Sequence, residues 1–187
     1  MDRDILQLWN VIGTWVASIG TVGAVITSLW LAYHQGKVKL KINAGERLVI
    51  TRGSNEKPRY CHIGIVNIGN KPAKVINIGW SVRRNIWKKK VSMIQLFGFP
   101  ESANVPVTLQ EGEDATFLVP YRYRGNDDDW IVDFPKKLVG NEKHEIIKSL
   151  KVWVHTSSGQ SFRTKVENNL IETLTKSYKK RMVEKKE

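Results

Sequence analysis

The chain has 187 residues, with 30 Lys and Arg against 18 Asp and Glu and a formal net charge of +12. Its single cysteine, Cys61, excludes an intrachain disulfide, so the cysteine content calls for no oxidising compartment. The basic balance favours anionic partners: phospholipid headgroups, nucleic acid or an acidic protein.

From Ile5 to Tyr33 there is no Asp, Glu, Lys, Arg or His. A bilayer core takes about 20 helical residues to cross, and Val11 to Leu31 meets that length. Trp9, Trp15, Trp30 and Tyr33 lie toward the two ends of the run, where amphipathic rings favour the membrane interface. Two rival readings are a buried helix of a soluble protein and a cleaved signal peptide. Against the first, no second long helix is evident to cover it. Against the second, Met1 to Asp4 is acidic on balance, the run is long for a signal core, and no A-x-A site follows. The sequence therefore predicts a retained single-pass anchor.

Beyond residue 33 the excess of positive charge is about +13. Arg3 stands alone before the anchor, whereas Lys37, Lys39, Lys41, Arg47 and Arg52 follow it. Lys and Arg bias a flank to the cytoplasm, which predicts the bacterial inner membrane with the N-terminus out and the domain in the cytoplasm. Gly13, Ala17, Gly20, Ala24 and Ser28 are spaced four, three, four and four residues apart, so they share one helix stripe beside Thr14, Ser18 and Thr21. Small residues let helices approach closely and hydroxyls bond across an interface, so this stripe is the candidate packing face for a homo-oligomer or a membrane protein partner. The same residue types are also common in any membrane helix.

After His34 the period changes to two. Lys37 to Ile42 alternates polar and apolar, as a half-buried strand does. Further strands are expected at 47–51, 60–68, 74–82, 91–97, 105–109, 115–119, 129–134, 150–155 and 161–166. Turns are expected at Asn67 to Pro72, at Glu111 to Asp114, and at Ser157 to Gln160. Short strands, frequent turns and no alternating helices predict an antiparallel β-sandwich and a mainly β protein. Val166, Leu170, Leu174 and Tyr178 then recur every four residues, predicting an amphipathic C-terminal helix that packs on the sandwich or on a partner. The expected organisation is an anchor over 1–36, a sandwich over 37–166 and a basic helical tail over 167–187.

Chemistry-bearing patterns are sparse. The histidines His34, His62, His144 and His155 lack metal-ligand spacing, and neighbouring Cys61 and His62 would point to opposite faces of a strand. Asp127, Asp128 and Asp129 read as an exposed acidic loop, because no calcium-loop pattern follows. Phosphate-loop, nucleophile-elbow and zincin motifs do not occur. Gly64 and Gly79 sit inside strands, where glycine marks a bulge or a close approach. The sequence thus calls for no enzymatic activity, no metal and no cofactor. Two segments mix cations with aromatics: Trp80 to Lys90, with Arg83, Arg84, Trp87, Lys88, Lys89 and Lys90, and Tyr121 to Arg124. The first is the candidate site for anionic lipid. Nucleic acid is the less favoured partner, and a solvated hairpin with Trp80 in the core is the plain alternative.

The stretches V-N-I-G-N-K-P-A-K-V-I-N-I-G-W at 66–80, L-Q-E-G-E at 109–113 and V-H-T-S-S-G-Q-S-F at 154–162 give most of the chain a likeness. It resembles poorly characterised bacterial single-pass membrane proteins with an N-terminal helix and an immunoglobulin-like sandwich. The resemblance implies that fold and carries no catalytic residues; some such proteins sit near phage-defence or prophage genes. The expected function is a membrane-tethered, non-enzymatic interaction module at the cytoplasmic face. The alternative is a nucleotide-sensing membrane effector, in phage defence or superinfection exclusion.

Overall fold

A computed structural model describes residues 3–35, 37–50, 58–83, 91–100, 102–122, 129–140 and 144–184. The chain divides into two compact units, Met1–Lys37 and Val38–Glu187. The first is one helix, α1 (Arg3–Gln35). Its segment Gln7–Tyr33 is long and apolar enough to cross a membrane, and none of it is buried. A helix whose Leu, Val, Ile and Trp side chains are exposed along its whole length suits a hydrocarbon environment. At its end the Lys37 ammonium lies 4.1 Å from the centroid of the Tyr33 ring, a cation–π contact.

The second unit is built on two antiparallel sheets. One has the order β1-β2-β6, from β1 (Leu40–Leu48), β2 (Arg59–Asn67) and β6 (Asp114–Pro120). The other has the order β4-β3-β7-β8, from β3 (Ala73–Val82), β4 (Val91–Ile94), β7 (Lys151–Thr156) and β8 (Ser161–Lys165). The short β5 (Val107–Leu109) pairs with the start of β3. Alternation explains which face is buried: Cys61, Ile63 and Ile65 on β2, Phe117 and Val119 on β6, and Val152 and Val154 on β7 all enter one shared core. Cys61 is buried and His62 is not, as their strand positions require.

Three turns close where expected. Asn67, fully buried, fixes the β2–β3 turn: its Nδ2 donates to the carbonyls of Lys71 and Leu109, and its Oδ1 accepts from the Gly69 N–H. Gly112 and Gly159 have φ of 76° and 78°, a region glycine enters without steric cost.

The region after β6 corrects the sequence reading. Residues 129–134 are not a strand. They begin a helix, α2 (Trp130–Val139), followed by a 3₁₀ helix over His144–Ser149. Trp130, Phe134 and Leu138 stand four residues apart and all are buried. Pro135 within the segment speaks against a helix, but here burial of that stripe outweighs the lost backbone bond. The rings explain why: Trp80 lies 5.4 Å from Phe134 and 6.2 Å from Trp130, and Trp130 stacks on Phe134 at 4.6 Å. The helix stops at Gly140, whose N–H donates to the Lys136 carbonyl.

One other expectation shifts. The separate strands at 37–42 and 47–51 are one strand, β1, and residues 51–57 lie outside the described residues. The C-terminal helix, α3 (Asn168–Glu184), forms as expected and its stripe packs into the core: Leu170 and Leu174 are fully buried, with Ile171 and Tyr178 against the same cluster. Among the described residues, helices of 33, 10, 6 and 17 residues hold more positions than the eight strands do.

Candidate functional site

The stripe Gly13, Ala17, Gly20, Ala24 and Ser28 lies on α1 with every member exposed. A side chain added at Gly13 or Gly20 would meet nothing within 4 Å. The neighbouring hydroxyls are already used inside the helix. Thr14 donates to the Asn10 carbonyl at 2.8 Å, Ser18 to Thr14 at 2.8 Å, and Thr21 to Ala17 at 2.9 Å. Donation across an interface, expected from the sequence, would break those bonds, so the hydroxyls remain to a partner as acceptors.

Of the expected anionic-surface residues, Arg83 is described, and its N–H donates to Ser149 Oγ at 3.2 Å. Arg84, Trp87, Lys88, Lys89 and Lys90 lie outside the described residues, as do Tyr123 and Arg124. Trp80, at the head of that segment, is buried, and its Nε1 donates to Gln95 Oε1.

Titratable groups gather where α3 meets β1. Arg47 and Glu167 form a two-bonded pair, each contact 2.7 Å. The guanidinium holds the Glu167 carboxyl below its usual range, and Glu167 in turn raises Arg47. Burial pushes the His62 imidazole down, Arg47 pushes it further, and Glu167 opposes both. Glu46, with a side chain 14% exposed, receives Arg59 at 3.2 Å and the Thr173 hydroxyl at 2.5 Å. Burial pushes up both the Cys61 thiol and the Tyr121 hydroxyl, and the charge of Glu46 adds to each. A thiol held in its neutral form is a poor nucleophile. These contacts join α3 to β1 and explain themselves as structure.

Ser161 Oγ lies 2.5 Å from His155 Nδ1 on the β7–β8 hairpin. Among the described residues no carboxylate bonds the other ring nitrogen, so the orienting third member of a nucleophilic triad is not there. No three His, Cys, Asp or Glu among the described residues come together as metal ligands.

No family model matches the chain. No curated protein matches it either. Two solved structures show a partial likeness. One, the X-ray structure of a structural genomics target designated SoR45, is 11% identical with a TM-score of 0.29, over 71% of this chain and 84% of that one. The other, a Bordetella pertussis structural genomics target described as an ApaA protein, is 15% identical with a TM-score of 0.28, over 70% and 89%. At those TM-scores neither carries an argument about this chain.

The face that sequence reasoning missed is the outward side of the β4-β3-β7-β8 sheet. Register places Ile94, Gly79, Trp153 and Arg163 in one row across four strands, and Ser92, Ser81, Lys151 and Lys165 in the next. Trp153 lies across Gly79, its Nε1 donating to the Trp80 carbonyl at 3.1 Å. The alternation in β7 and β8 was visible in the sequence. The pairing that sets Lys151 opposite Lys165 was not, because it depends on which strands are neighbours.

Proposed function

We propose that the protein is a membrane-tethered, non-enzymatic interaction module. It is a single-pass inner-membrane protein, N-terminus out, presenting its second unit in the cytoplasm. The observation that carries this reading is α1, whose 27-residue span is long and apolar enough to cross a membrane with none of it buried. Such a surface is costly in water and stable in lipid. The second unit is an immunoglobulin-like sandwich, supported by two antiparallel sheets sharing one core. The uneven Lys and Arg flanks support the orientation.

The stripe from Gly13 to Ser28 is the proposed packing face for a second copy or a membrane partner. Its exposed glycines support that role by leaving room for a close helix. Arg83, Arg84, Trp87, Lys88, Lys89 and Lys90 are proposed to add attraction to anionic lipid. The test is crosslinking of the full chain in membranes. A specific crosslinked species should form and be lost in Gly20→Leu with Ala24→Leu. An undiminished species in that variant would remove the stripe from the account.

A further inference from the structure

The outward positions of the five-stranded sheet formed by β3, β4, β5, β7 and β8 carry four cations, Lys74, Lys151, Arg163 and Lys165, and no carboxylate. All four are exposed, and none is ion-paired among the described residues. Lys151 and Lys165 stand directly opposite each other on β7 and β8, a like-charge pair that costs stability unless an anion lies over it. The outward side of the other sheet differs, because Arg47 there has its countercharge in Glu167.

The same face bears exposed aliphatic side chains. Ile94 on β4 is 60% exposed; Leu96, two residues beyond β4 and next to Gln95, whose N–H bonds the Ile78 carbonyl, is 80% exposed; and Ile76 at the β3 bulge is 38% exposed. Cations mixed with protruding aliphatics suit a bilayer surface, where the apolar groups enter the interfacial layer and the cations meet phosphates. A single-stranded nucleic acid would favour exposed aromatic platforms, and neither it nor a duplex has use for protruding aliphatics. Trp153 is 6% exposed and its indole nitrogen bonds the Trp80 carbonyl, so its ring is committed to the protein.

We propose that this outward face rests on an anionic lipid surface, with Ile94 and Leu96 at the interfacial layer and Lys74, Lys151, Arg163 and Lys165 on the headgroups. The inference rests on the tether proposed above and assigns a named surface to it. These residues are separate from the Trp80–Lys90 segment.

The test uses the full chain in vesicles of phosphatidylcholine alone or with phosphatidylserine. Ser92→Cys, on the same face, carries an environment-sensitive fluorophore, and Thr116→Cys, exposed on the other sheet, is the control. Cys61 is fully buried and stays unlabelled. The expected result is a severalfold lower quenching constant for an aqueous quencher at position 92 in the anionic vesicles, with position 116 unchanged. High salt, or Lys151→Gln with Lys165→Gln, restores quenching. Equal quenching at 92 in both vesicles, with the chain still embedded, overturns the face and leaves the tether standing. Protection by a single-stranded oligonucleotide and not by lipid overturns it in favour of nucleic acid. A chain that washes off the vesicles overturns both.

Discussion

Gly79 and Trp153 stand directly opposite each other on β3 and β7, and the indole occupies the space a side chain at position 79 would need. The Met93 carbonyl closes the same space from β4. A backbone atom cannot swing away as a flexible side chain can. Gly79→Ala is therefore expected to destabilise the second unit by about 1–3 kcal/mol, the usual cost of overpacking. Chemical denaturation followed by tryptophan fluorescence measures it, and an unchanged midpoint would mean that β4 yields easily.

The C-terminal helix is expected to behave as core. Leu170 and Leu174 have no exposed surface. Replacing either with Ala removes buried methyl groups and leaves a cavity, a loss of about 2–5 kcal/mol. Ending the chain at Val166 should abolish cooperative melting of the second unit. A cooperative transition in that truncation would show α3 to be an appendage.

Much of this architecture was legible in the sequence because period-two alternation is a local signal. The strands around Ile63, Trp80 and Val152 read directly, and so did the turns at Asn67, Gly112 and Gly159. The segment from Asp129 to Phe134 misread because Trp130, Ile131, Val132 and Phe134 satisfy a strand pattern locally. Leu138, four residues beyond Phe134, and the aromatic partner Trp80 come from outside that window. The candidate surfaces divide the same way. The stripe on α1 is a one-dimensional spacing and was visible. The gathering of Lys151, Lys165 and Arg163 on one face depends on strand pairing and became visible with the sheet order.

Acid should weaken the second unit in two steps. The folded state holds His62 below its ordinary value of 6.5, so the unfolded chain binds more protons just below that pH. Stability present above pH 6.5 is lost as the pH falls from there toward the lowered folded value. Glu167, held below its ordinary 4.5, adds a second loss beginning near that pH. Its side chain is 37% exposed, so solvent screening keeps that second step small. Melting temperature against pH should show both, and His62→Gln should flatten the upper step. An identical profile for the variant would assign the acid sensitivity elsewhere.

Cys61 should be inert in the native protein. Burial keeps its thiol neutral and out of reach. A thiol reagent is expected to modify it at the rate of unfolding, in intact and permeabilised cells alike. Topology is therefore read from Thr116→Cys, which should react with an impermeant maleimide after permeabilisation and not before. Labelling in intact cells would reverse the orientation.

The tether itself is tested most directly by alkaline carbonate extraction of membranes, with intact-mass measurement of the extracted and retained chains. The full chain is expected to stay in the membrane pellet with residues 1–36 still attached. Release into the supernatant, or a retained species whose mass lacks the α1 segment, would contradict it.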